Sequence, residues 1–100
     1  VLIMEERVCL EVYEQLFDDF FPLIMAGDHS TSFGTIAGIR KAYPKKRLGV
    51  IWIDAHADIH TPYTTPSGNM HGMALAMACG IDNLECKVND PRGETIEYWE

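Results

Sequence analysis

Residues 48–54 read LGVIWID, and this run constrains the fold more than any other part of the chain. Leu48, Val50, Ile51, Trp52 and Ile53 are all large and apolar, with no polar residue at alternate positions. A strand with one wet face alternates; a strand that is apolar throughout is covered on both faces, as in a parallel sheet flanked by helices. A second apolar run, PLIMAG at 22–27, precedes it. The first run ends in Gly27 and the second in Asp54, so each stops at a turn-forming residue.

The segments around these runs have helical spacing. From Ile3 to Phe21, Val8, Val12 and Leu16 recur at every fourth position, with Cys9, Tyr13 and Phe17 beside them and glutamates between. Pro22 ends that pattern. Ser30 or Thr31 can cap the next helix, which runs to about Tyr43 because Pro44 disfavours helical geometry just before it. Its Gly34 and Gly38, four apart, allow close packing on a sheet. Met70 to Cys79 returns to helix and Gly80 stops it; Met70, Met73 and Met77 form a core stripe. Asn83 to Gly93 is rich in turn formers, and Glu94 to Glu100 reads as the start of a further helix. The order helix, strand, helix, strand, long loop, helix predicts an α/β fold with parallel strands and right-handed crossovers.

In such sheets ligands gather beyond the carboxyl ends of the strands. Both polar clusters fall there: GDHS at 27–30, and DAHAD at 54–58, followed by His60 and His71. All four histidines lie at strand ends or on the connected loop, none in a helical stretch. In an extended segment Asp54, His56 and Asp58 point to one face, with the small Ala55 and Ala57 between them facing the other way. His29 on the neighbouring strand end adds an imidazole. Mixed carboxylate and imidazole donors suit Mn, Fe, Zn, Ni or Co. A strand end with a turn-forming Asp54 and surface histidines is the plainer reading, and the clustering weighs against it. The loop from Ala55 to Asn69 holds Pro62, Pro66 and Gly68 and exceeds the usual connection length, as functional loops do.

Composition excludes several classes. The 100 residues carry a formal net charge of −7, which disfavours nucleic acid as a partner. Five of the cations, Arg40, Lys41, Lys45, Lys46 and Arg47, sit together at a helix end, where solvation explains them. No apolar run is long enough to span a bilayer, and Val1 to Met4 gives way at once to Glu5, Glu6 and Arg7, unlike a signal peptide. Three cysteines without a CxxC pair point to reduced thiols and a cytoplasmic protein, with Cys9 and Cys79 as core fillers and no thiolate metal site.

Taken together, AGDHS, DAHAD and TPYTTPSGNMHG resemble three successive motifs of the arginase or ureohydrolase family, in order and over residues 22–78. The loop TPYTTPSGNMHG is closer to arginases than to their relatives. The resemblance implies part of a three-layer α/β/α sandwich around a parallel sheet, with two Mn2+ in a complete active site. It implies that His29 and Asp58 hold one ion, that His56 holds the other and that Asp54 bridges them. A hydroxide bridging the ions would attack the guanidinium carbon of L-arginine, giving urea and ornithine. By the same resemblance Asp58 and His71 are catalytic, His71 as a proton shuttle or a group orienting the leaving amine. His60, Thr65, Ser67 and Asn69 fall where such enzymes recognise the α-carboxylate of a small amino acid substrate, and hydroxyl and amide donors suit that task. A homo-oligomer is implied as well, and no membrane partner.

The pattern departs from the family at three places. Ala26 stands for the first glycine of GGDHS, and His60 for an asparagine. The later SxDxDxxDP motif, which brings two more aspartates, is absent; Asp82 and Asp90 lack that context and read as loop formers. Residues 1–100 are therefore expected to be the amino-terminal-to-middle part of such a domain, poorly active alone. The alternatives are formimidoylglutamase-type hydrolysis of a formimino group, or an inactive truncated fragment. A deacetylase-type deacylase finds no support in TTPSGN.

Overall fold

The computed structural model describes residues 2–81. The expected features at Asp82, Cys86, Asn83 to Gly93 and Glu94 to Glu100 lie outside that range. The described elements are helix α1 (Leu2–Phe17), helix α2 (Thr31–Ala42), a 3-10 turn (Met70–Met73) and helix α3 (Ala74–Ala78).

Helix α1 stops four residues before the expected end at Phe21. Asp19 adopts a left-handed φ of 66°, and two reversed hydrogen bonds close the helix, Asp19 N to Leu16 O and Phe20 N to Gln15 O. This is a Schellman ending, with aspartate in the position usually taken by glycine; a short polar side chain tolerates that conformation. The same motif ends α3, where Gly80 has φ 68° and Gly80 N and Ile81 N donate to Met77 O and Ala76 O. There the stop falls where the sequence placed it. The helix expected from Met70 splits into the 3-10 turn and α3, because the backbone carbonyl of Asp58 takes the N–H groups of Leu75 and Ala76 at 3.0 and 3.1 Å.

Helix α2 starts at Thr31 with Ser30 in the cap position. The Ser30 backbone is already helical, and its side chain makes no cap hydrogen bond. Other groups satisfy the free N–H donors that every helix start leaves. Ser32 N and Phe33 N donate to His29 O and Ser30 O, and Gly34 N donates to the Glu5 carboxylate at 3.1 Å. Glu5 is 2% exposed, and its negative charge at this helix start is favourably placed. The carboxyl end of α2 carries Arg40 and Lys41, and Arg40 donates to Lys46 O at 2.6 Å while the Lys46 ammonium lies over the Tyr43 ring. Arg40 and Lys46 are thus folded onto the end of this helix, while the Lys41 ammonium lies over the Tyr13 ring of α1.

Gly34 and Gly38 pack on α1, not on a sheet. A Cβ at Gly34 would lie 2.6 Å from Glu5 O, and one at Gly38 would lie 2.6 Å from Cys9 O and 2.8 Å from Val12 Cβ. Among the described residues the core consists of Val12, Met73, Ala74 and Ala76. Met70 and Met77 are half-buried, Cys9 is half-buried and Cys79 is exposed, so Cys79 is no core filler.

The two apolar runs line one cleft of about 750 Å3 together with Ser32, Ile36 and Ile39 of α2. They are extended, but among the described residues no strand ladder joins them. Their outer side chains are bare: Leu23, Met25, Ile51 and Ile53 are 83–92% exposed. The i, i+2 spacing of those residues matches a pleated strand. Two extended segments with one uncovered apolar face lack the third strand or facing layer that makes a sheet stable. The parallel sheet expected from LGVIWID is therefore not realised within residues 2–81, while the placement of one helix against both runs is. No helix among the described residues is long and apolar enough to cross a membrane.

Candidate metal centre

The site forms where the two apolar runs end. His29 follows the first run, in the turn that opens α2, and Asp54 closes the second. His29 Nδ1 lies 2.7 Å from Asp54 Oδ2 and 2.8 Å from Asp58 Oδ2. One ligand atom from each of the three residues falls within 4.8 Å of the others. A ring nitrogen carries at most one hydrogen, so Nδ1 cannot donate to both oxygens at once. Among the described residues Asp58 Oδ2 is buried and finds no hydrogen-bond donor, despite its 2.8 Å approach to the ring. A buried carboxylate oxygen without a donor is costly. The same three atoms facing a divalent cation would satisfy that oxygen, and one imidazole with two carboxylates is a donor set such ions accept. The residues present therefore fit a metal ion.

Simple alternation does not produce this arrangement. The chain bends at 54–56, and Asp58 takes a left-handed φ of 50°. That turn returns the Asp58 carboxylate to Asp54 and His29, while the Asp58 carbonyl clips the start of α3. A non-glycine residue in that conformation persists when its surroundings hold it there. His56, expected on the same face, is outside the three-residue group. Its side chain is 82% exposed, and its Nδ1 lies 3.3 Å from the other oxygen of Asp54, Oδ1. Asp54 thus presents Oδ2 to His29 and Oδ1 to His56. Its carboxyl is held below the usual carboxylate range, chiefly by the His56 N–H that donates to Oδ1 at 2.9 Å, with the His29 and His56 rings adding to this.

His71 lies beside this group, its Nδ1 3.5 Å from Asp28 Oδ2. Asp28 is also held low, first by its hydrogen bond to Ser30 and further by His71. His56, Asp58, His60 and His71 line one cavity of about 320 Å3. Asp58 is the member of the three-residue group that lines this cavity; His29 and Asp28 instead border the 750 Å3 cleft, which is otherwise walled mainly by aliphatic side chains of α2 and the apolar runs.

The long loop is built around Thr61, which is 1% exposed. Its carbonyl accepts from Thr64 N and Thr65 N, its own N–H donates to Thr64 Oγ1, and its hydroxyl accepts from Tyr63 N. His60 Nδ1 is 3.3 Å from Thr64 Oγ1, and His60 N donates to Gly72 O, tying the loop to the 3-10 turn. The hydroxyls of Thr65 and Ser67 accept from Gly68 N and Asn69 N, which leaves each O–H proton to donate elsewhere. Asn69 is exposed at the start of the 3-10 turn.

Sequence reasoning passed over Asp28, Thr61 and Trp52. Trp52 is two residues before Asp54 on an extended segment, a spacing that places both on one side. Its indole stacks on the His29 ring, with centroids 4.5 Å apart and planes at 29°.

With this geometry in place, the comparisons with known proteins are specific. The arginase family profile matches residues 3–89. The arginase of Bacillus subtilis strain 168 is 48% identical over 81 residues, covering 81% of this chain and 27% of the relative. The arginase of Bacillus caldovelox is 58% identical over 61 residues, 61% of this chain and 20% of the relative. Among solved structures, a crystal structure of the Bacillus subtilis arginase matches with a TM-score of 0.73 at 47% identity, covering 79% of this chain and 27% of that one. The Bacillus caldovelox arginase matches with a TM-score of 0.68 at 50% identity, covering 72% and 23%. The chain spans about a quarter of the length of these relatives, and over that part its fold is theirs, of the α/β class. It belongs to the arginase family.

Proposed function

We propose that these residues belong to a manganese-dependent amidinohydrolase that converts L-arginine to urea and ornithine. The observation that carries this reading is the meeting of His29, Asp54 and Asp58 around one point, with a buried Asp58 oxygen left for a cation. His29 and Asp58 would hold one Mn2+, His56 a second, and Asp54 would face both through its two oxygens, as its contacts to His29 and His56 suggest. Bound ions of this kind supply an activated water and charge stabilisation for hydrolysis.

The rest falls to the chain's own groups. His71 opens on the cavity that Asp58 lines, where an imidazole can pass a proton to a departing amine. Asp28 stands behind His71 Nδ1 and favours the imidazole orientation that leaves Nε2 for substrate. His60 and the unspent hydroxyl protons of Thr65 and Ser67, with the Asn69 amide, would bind the α-carboxylate of the amino acid. Agmatine, which lacks that carboxylate, fits this loop poorly. We read residues 1–100 as part of a three-layer α/β/α sandwich in which the two apolar runs are strands of the parallel sheet and the opposite helical layer would cover Leu23, Met25, Ile51 and Ile53 on their bare side.

The test supplies the full-length protein with Mn2+ and either L-arginine or N-formimino-L-glutamate. Urea from arginine without formamide is expected. Formamide alone would move the reading to formimidoylglutamase chemistry, for which the histidine at position 60 is the motivating departure. Neither product would leave an inactive relative.

A further inference from the structure

We propose that Trp52 is a positioning residue for His29: its indole face sets the plane of the imidazole so that Nδ1 meets Asp54 and Asp58. The proposal rests on the metal-centre reading of those three residues.

The backbone of His29 is held, since its carbonyl accepts from Ser32 N and the preceding Asp28 ties to Ser30 N. Its ring is not fixed by that. The second side-chain torsion of histidine is broad, so a neighbour must choose the ring plane. Gly27 offers no support, for nothing approaches within 4 Å of where its Cβ would be. The ring edge meets the two carboxylates, and the ring face meets Trp52 at 4.5 Å. Trp52 and Asp54 come from one short stretch, so residues 52–54 grip the imidazole by face and edge together. Indole and imidazole planes 29° apart are close to stacked, a geometry aromatic pairs favour.

Among the described residues Trp52 Nε1 is buried and has no hydrogen-bond partner. Loss of that N–H therefore breaks no bond, and phenylalanine at this position keeps a stacking ring while shedding only the unpaired group. This makes Trp52→Phe and Trp52→Leu a discriminating pair.

Two readouts on the full-length protein test the proposal. In metal-free protein, the His29 ring-proton resonances should be shifted upfield by the indole. The shift should persist in part in Trp52→Phe and vanish in Trp52→Leu. Mn2+ titration followed by electron paramagnetic resonance should then show binding about 10–100-fold weaker in Trp52→Leu, the range for losing an outer group that orients a ligand. Trp52→Phe should retain most of the affinity. Equal weakening in both variants would overturn the proposal and make Trp52 a core filler. Unchanged affinity in Trp52→Leu, or His29 resonances with no ring shift, would overturn it as well. A wild-type protein that binds no Mn2+ but shows the ring shift would refute the metal centre, and the positioning role with it, by a readout separate from the one that refutes the stack.

Discussion

Gly38→Ala should destabilise the protein, although alanine is the better helix former. On an exposed helix face this exchange would gain about 1 kcal/mol. Here the new Cβ would sit 2.6 Å from Cys9 O, 2.8 Å from Val12 Cβ and 3.0 Å from Val12 Cγ1. Carbon contacts settle at roughly 3.5–4.0 Å, so α1 and α2 must part by about 1 Å. The nearest atom is backbone, and no side chain can swing aside to make room. Overpacking of this kind costs about 1–3 kcal/mol. Parting the helices also stretches the bond from Gly34 N to the buried Glu5 carboxylate, and hydrogen bonds to charged groups contribute about 1.5–3 kcal/mol. After the propensity gain, a net loss of about 1.5–5 kcal/mol is expected, the upper part only if the Gly34–Glu5 bond is lost outright. Urea denaturation of the full-length protein, read by circular dichroism, measures it. Gly49→Ala is the control, since nothing among the described residues lies within 4 Å of its Cβ position. If Gly38→Ala were neutral or stabilising relative to Gly49→Ala, the close α1–α2 contact would be wrong.

Three further outcomes concern the site. Asp54→Asn should abolish Mn2+-dependent stabilisation: at an ion concentration of 100 times Kd, wild type should gain about 2.7 kcal/mol in a melt and the variant almost nothing. His71→Ala should lower urea release about 10²–10⁴-fold with Mn2+ still bound, separating proton transfer from metal retention. The Asp28 carboxyl lies below its ordinary value in the fold, so it stabilises the protein above that ordinary value and loses this effect as pH falls through the folded one. Asp28→Asn should therefore flatten the acid side of the metal-free stability profile below about pH 4; an unchanged slope would mean that the Ser30 and His71 contacts are absent in solution.

Much of the helical layout was legible because its causes are local. Gly80 stops α3 and the residues before Pro44 end α2, since a left-handed glycine and a proline ring act on their own neighbours. The end of α1 falls short of Phe21 because Asp19 adopts a left-handed φ, a position glycine usually fills, before the chain reaches the break at Pro22. The apolar runs lie along α2 but lack the ladder expected of them, because strand pairing depends on neighbours that a run does not itself contain.

The sequence by itself determined the chemistry available: four histidines and the carboxylates of GDHS and DAHAD collected beyond two apolar runs, in a pattern that marks the arginase family. Only the tertiary structure decided which of them meet. The sequence placed both His29 and His56 with Asp54 and Asp58; in the structure His29, 25 residues before Asp54 in the chain, meets both carboxylates, while His56 turns its ring outward and reaches only the far oxygen of Asp54. The left-handed Asp58, anchored by its carbonyl on α3, makes that meeting possible, and Trp52, from the same run as Asp54, meets the ring as well. Periodicity reports which way a side chain points from its own backbone. Convergence of separate segments depends on how helices and apolar runs pack, and that information is not local.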